Sequence, residues 1–269
     1  MMDVKNGPLV DAHFHIYTQS MPTADDAWHR PTHDATIDQV LALQAENGVS
    51  FGVISAASIY GLYNDYVRRA VKAHRNLRAT VMPDFNWDIR TMEAYRDEGF
   101  TGVRFLWRPK ETLPDVTSEE YRRFLRRCVD IGWHVHLTDR PHRIAASIEA
   151  LENAGVDVIL DHMCLIDTDE GVNDPGFKAC LAAIERGKTW VKMSGGFRFT
   201  HAGLADKVAK ELVATAGWDR LMWASDWPFA GFEGQVTYAD TVTQLCKWVP
   251  DASMRHCIGG RTALKFYFT

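Results

Sequence analysis

The chain has 269 residues, 46% of them hydrophobic and 24% charged, and a formal net charge of −5. That is an ordinary globular composition, which excludes a disordered chain, and no Lys/Arg run of five or more offers a footprint for nucleic acid or an anionic membrane surface. No window approaches the roughly 20 apolar residues of a membrane span, and the opening MMDVKNGPLV carries no signal-peptide core, so a cytoplasmic location is expected.

In chain order, eight short β-rich apolar runs alternate with helical patterns. The runs are Leu9–Ile16, Val49–Ala56, Leu77–Met82, Gly102–Leu106, Trp133–Leu137, Val156–Asp161, Thr189–Met193 and Leu221–Ala224. Thr36-x-x-Gln39 and Thr117-x-x-Glu120 read as capping boxes that open two of the helices. Gly48, Gly99, Gly132, Gly155, Gly187 and Gly217 stand where helices should end, which makes the helix-to-strand connections short. The opposite connections are long and irregular: Tyr17–Ala35, Trp107–Val116, Met163–Pro175 and Trp227–Val236.

This asymmetry predicts a (β/α)8 barrel filling residues 1–269 as one domain, with its site at the carboxyl ends of the strands. A doubly wound open sheet is the competing fold, and no Gly-x-Gly-x-x-Gly follows the first strand to support it. The five cysteines include no Cys-x-x-Cys and read as reduced core residues. No spacing sets the oligomeric state.

The chemistry gathers at three strand ends. His13 and His15, two apart on a strand, share a face; His162 ends the sixth strand and Asp226 the eighth. Each has a structural explanation alone, as a satisfied core histidine or a turn-bonding acid. On one barrel mouth, however, three imidazoles and a carboxylate are costly unless they work chemically or bind a metal. Asp161, one residue before His162, points to the opposite face by the same alternation, and it and Asp11 read as structural or as supports for the site histidines. Ser194 and Ser225 lack the Gly-x-Ser-x-Gly elbow of a serine hydrolase.

His-x-His after the first strand, His after the sixth and Asp after the eighth, within DAHFHIY, LDHM and ASDWP, resemble the amidohydrolase superfamily. The similarity is to its lactonase branch, which includes 2-pyrone-4,6-dicarboxylate lactonase and 4-sulfomuconolactone hydrolase. ASIYGLYN, GVRFLWR and SGGFR resemble segments lining the dicarboxylate pocket, so Ser58, Tyr60, Arg104 and Arg198 are the matching substrate-binding positions. Guanidinium forks with hydroxyls beside them suit a carboxylate. Arg108 and Arg140 depart from the family spacing.

The resemblance implies a hydrolase that opens a small, carboxylated lactone in aromatic compound catabolism. Asp226 is its general base and acid, and His162 the electrophilic contact on the carbonyl. A metal-dependent decarboxylase of an anionic aromatic acid uses a similar His and Asp set, and a non-catalytic barrel binding a small acid is the third alternative. The dicarboxylate lactonase works without a metal and, by resemblance, has no histidine ligand on its fifth strand, whereas this chain has Trp133-His134-Val135-His136-Leu137 there. The expectation is therefore one Zn²⁺ or Mn²⁺ on His13, His15, His136 and Asp226, with a metal-independent mechanism as the alternative.

Overall fold

A computed structural model describes residues 7–269, so the first six residues of the expected domain, and of MMDVKNGPLV, lie outside the described residues. Eight parallel strands follow one another in the order of the sequence: β1 (Leu9–Phe14), β2 (Val49–Ile54), β3 (Leu77–Val81), β4 (Phe100–Leu106), β5 (His134–Thr138), β6 (Val158–Leu160), β7 (Thr189–Met193) and β8 (Leu221–Trp223). Each is followed by a helix: α1 (Ile37–Glu46), α2 (Asp65–Ala73), α3 (Ile89–Glu98), α4 (Glu119–Asp130), α5 (Ile144–Asn153), α6 (Pro175–Arg186), α7 (Leu204–Ala216) and α8 (Tyr238–Trp248). Two short helices, α9 (Ala252–His256) and α10 (Thr262–Tyr267), end the chain. No described helix is long and apolar enough to cross a membrane.

The two edge strands meet just beyond the end of β8. Asp226 N–H donates to the His13 carbonyl and His15 N–H to the Trp227 carbonyl, both at 2.8 Å. The bonds that close the barrel are thus the ones that set Asp226 beside the two histidines.

The main core lies between the strands and the surrounding helices. A second apolar cluster joins Val10 and Ala12 of β1, Val53 of β2, Ile159 of β6 and Met222 of β8. Strands so far apart in the order meet only inside the barrel, and Ala263 and Tyr267 of α10 complete this inner layer. It is a packed floor, as expected of a barrel of this size.

The expected capping box at Thr36 is present: Gln39 N–H donates to its hydroxyl at 3.3 Å and its own N–H donates to Gln39 Oε1 at 2.7 Å. The one at Thr117 is not. Thr117 turns back to Asp115, and Ser118 caps α4 by accepting from Tyr121 N–H. All six glycines expected at helix exits have positive φ, and Gly99 at 111° and Gly187 at 94° are left-handed caps that a Cβ would strain.

Candidate active site

Two local distortions aim the site residues. In β1, Asp11 is level with Gly52 but Phe14 with Ile54, so one extra residue is accommodated between them. Such a bulge re-aims the side chains that follow. Asp11 therefore faces the helices, where it accepts from Ser225 Oγ at 2.6 Å and Tyr238 Oη at 2.8 Å, while His13 enters the barrel. The structural reading of Asp11 agrees with these contacts.

After β6, His162, Met163, Cys164 and Leu165 have φ of 51°, 53°, 65° and 47°. Four consecutive left-handed residues without a glycine cost about 1–2 kcal/mol each, and the turn swings His162 into the mouth, where Gly195 makes room for it. A Cβ on Gly195 would lie 3.0 Å from that of His162. Because His162 is placed by the turn, it does not oppose Asp161 in facing. Asp161 continues the inward alternation from Ile159, which corrects the expectation that it points away: it lies at the centre of the site.

At the mouth, His13 Nε2 is 3.2 Å from His15 Nε2, and Asp226 Oδ1 is 3.8 and 3.9 Å from the same two nitrogens. Asp226 itself has φ of 64°. Its Oδ2 accepts from Arg198 Nε at 2.6 Å and lies 3.5 Å from His162 Nδ1, whereas its buried Oδ1 has no hydrogen-bond partner among the described residues. His162 Nδ1 is 3.0 Å from Ser194 Oγ, and His15 Nδ1 donates to the Ser55 carbonyl at 2.8 Å.

One layer deeper, Lys192 of β7 is fully buried. Its ammonium is 2.8 Å from His136 Nδ1, 3.0 Å from His13 Nδ1 and 3.0 Å from Asp161 Oδ1. Asp161 also takes Arg104 Nε at 2.9 Å. The sequence reading missed this lysine; its signal was a charge inside the apolar strand Thr-Trp-Val-Lys-Met.

Burial drives the imidazoles toward their neutral forms. Burial and Arg104 take His15 down to about 3, and burial takes His162 to about 4 against the pull of Asp226. Burial and Lys192 hold His13 and His136 well below the usual range. For Asp226, burial raises the carboxyl, but Arg198 and His162 outweigh it and the net shift is downward. Burial brings Lys192 down to about 8 against Asp161, so it keeps its proton at neutral pH. The site therefore holds neutral imidazoles beside an ionised Asp226.

The mouth opens into a pocket of about 400 Å³ lined by His15, Ser58, Arg104, Arg108, His162, Arg198 and Asp226 among others. Of the expected substrate positions, Ser58, Arg104 and Arg198 reach it. Tyr60 does not line it: its ring packs 5.7 Å from that of Tyr17, which lines the pocket in its place. Tyr17 Oη and Thr138 Oγ1, on two pocket residues that sequence reading overlooked, are buried without a partner among the described residues. Arg140 is turned aside to the Arg108 carbonyl.

The expected four-ligand metal set is not assembled. His13, His15 and Asp226 come together, but His136 groups with His13 and Asp161 instead. His136 is in register with Ile159 of the floor, so its ring sits below the mouth, bonded to Lys192 and, at 3.1 Å, to Tyr267 Oη.

Comparison with known proteins agrees with this architecture. Residues 10–269 match the family described as Amidohydrolase. The chain is 25% identical over 257 residues to a 4-sulfomuconolactone hydrolase of Rhizobium radiobacter, covering 92% of this chain and 86% of that protein. A Pseudomonas putida structure assigned as a 2-pyrone-4,6-dicarboxylic acid hydrolase superposes with a TM-score of 0.90 at 30% identity, over 97% of each chain. An Acinetobacter baumannii structure assigned the same activity, with citric acid bound, has a TM-score of 0.92 at 22% identity, covering 98% of this chain and 100% of its own, and shows the fold. The chain belongs to the amidohydrolase family and is a hydrolytic enzyme.

Proposed function

We propose that this enzyme opens a small anionic lactone by adding water to the ring ester. One observation carries the reading: an ionised Asp226, with one oxygen that none of the described residues bonds, sits in a cluster where three cations, Lys192, Arg104 and Arg198, are paired with two carboxylates, Asp161 and Asp226. A surplus of cations favours an anionic substrate. The similarity to proteins named as lactone hydrolases supports the reaction type.

Asp226 Oδ1 takes a proton from water as the water oxygen bonds to the ring carbonyl carbon. In the tautomer where His162 Nδ1 accepts from Ser194, its proton is on Nε2 and is donated to the carbonyl oxygen as charge builds there. The ring C–O bond then breaks, and Asp226 returns the proton to the leaving oxygen. Arg104 and Arg198 hold Asp161 and Asp226 through Nε, and a backbone carbonyl each through Nη1; their Nη2 groups have no partner among the described residues and serve the substrate carboxylate.

His13, His15 and Asp226 fit a divalent ion, because their donor atoms lie 3.2–3.9 Å apart and Asp226 Oδ1 is buried without a bond. We assign Zn²⁺ or Mn²⁺ as the ions these donors suit; when bound, such an ion supplies Lewis-acid polarisation and a more acidic water. The five free cysteines suit a reducing compartment, and we place the enzyme in the cytoplasm.

Mass spectrometry after incubation with carboxylated and neutral lactones tests the reading. Gain of one water on the carboxylated substrates is the expected result; loss of CO₂ would identify a decarboxylase instead. Arg104→Met should weaken anionic substrates by about 1.5–3 kcal/mol and spare neutral ones, and equal losses on both would count against the carboxylate clamp.

The acid limb of kcat/KM offers a further check. His162 gains a proton only near pH 4, and Asp226 below the usual carboxylate value of 3.8. The profile should stay flat from neutral pH to about pH 5 and fall below that, as His162 becomes charged and Asp226 follows. A midpoint near 6.5, the ordinary imidazole value, would show that the neutralising environment of His162 does not operate in turnover.

A further inference from the structure

We propose that Lys192 is a positioning residue that holds His13 with its proton on Nε2, and thereby makes the His13–His15–Asp226 group a weak site for a divalent ion. The inference concerns the ligand set named above and is independent of which substrate is hydrolysed.

An ammonium has three N–H donors and accepts nothing. Lys192 Nζ has three acceptors at bonding distance: His136 Nδ1 at 2.8 Å, His13 Nδ1 at 3.0 Å and Asp161 Oδ1 at 3.0 Å. Ser55 Oγ, at 3.4 Å, is more distant.

Accepting from Lys192 leaves no proton on His13 Nδ1, so the single proton of the neutral ring is on Nε2. From there it reaches His15 Nε2 at 3.2 Å, and the His15 proton is then on Nδ1, donating to the Ser55 carbonyl at 2.8 Å. Lysine, two imidazoles and a backbone carbonyl form one run in which every donor meets an acceptor.

A metal on His13 Nε2 needs the opposite tautomer, because only a nitrogen lone pair ligates. The proton would then be on Nδ1, facing the Lys192 ammonium donor to donor, with Asp161 Oδ1 at 3.3 Å as its remaining acceptor. A carboxylate on the second nitrogen is the usual support of a metal-binding histidine, and losing such support typically costs about 10–100-fold in affinity. Lys192 and Asp161 thus compete for one nitrogen, the lysine against the metal and the acid for it.

Two measurements test this. In ¹⁵N-histidine NMR of the wild-type protein, with His13 assigned by its loss in His13→Gln, Nδ1 should be unprotonated and Nε2 protonated; the reverse pattern would overturn the proposal without any Lys192 variant. In Lys192→Met, where Arg104 still gives Asp161 a charge partner, Co²⁺ should bind at least about 10-fold more tightly than to wild type, as read by its visible spectrum and by metal content after desalting. The gain should vanish in Lys192→Met/His15→Gln. Equal Co²⁺ affinity of wild type and Lys192→Met, or a gain that survives loss of His15, would overturn the lock.

Discussion

Asp226→Asn is expected to lower kcat by about 10²–10⁴-fold, the range for losing a positioned acid–base group, while the barrel stays folded. The amide keeps an oxygen for Arg198 Nε, and Arg198 also keeps the Ala230 carbonyl and is partly exposed, so no buried charge is stranded. The backbone bond from residue 226 to the His13 carbonyl does not involve the side chain, so the seam between β1 and β8 remains closed. What disappears is the ionised Oδ1, the one oxygen of the pair that none of the described residues engages. Steady-state kinetics with an accepted lactone, alongside circular dichroism and a thermal melt, measures both halves of the expectation. Activity within a few-fold of wild type would remove Asp226 from the proton transfer.

The barrel was legible because its signals are local. Period-two apolar runs, helix-ending glycines and long loops on one side each depend on a few neighbouring residues, and every expected strand is present with its ends within two residues: β1, β2, β3, β6 and β8 end one or two residues earlier, β4 starts two earlier, β5 shifts by one and β6 starts two later. The strand ends were harder to place because the chain curls at the mouth. Period two fails at the bulge in β1 and at the left-handed turn of His162–Leu165, so the facings of Asp11 and Asp161, inferred from their histidine neighbours, split: one outward, one inward.

Depth was not legible at all. His136 and His15 look equivalent as strand histidines, yet register with Ile159 sets His136 in the floor layer. Lys192 escaped notice for a related reason: its role arises from four elements converging inside the barrel, and no spacing in the sequence records that convergence.

The same convergence makes Asp161 the residue whose loss should cost the fold most. Its carboxylate is wholly buried and, among the described residues, is the only acid in contact with both Lys192, at 3.0 Å, and Arg104, at 2.9 Å. Asp161→Asn would leave an ammonium in the barrel interior with only neutral acceptors, and removing one partner of a buried pair costs about 3–5 kcal/mol. Burial alone would raise the Asp161 carboxyl, but Lys192, His13 and Arg104 together hold it well below its usual 3.8. As pH falls, the unfolded chain therefore takes the proton first, so the contribution of Asp161 is present in full above about pH 4 and is lost on further acidification. Urea unfolding of the two proteins should show a gap of about 3–5 kcal/mol at pH 7 that narrows below pH 4. A gap under about 1 kcal/mol at pH 7, or one that does not change on acidification, would mean that the two cations do not depend on this carboxylate, and that something other than charge holds Lys192 inside the barrel.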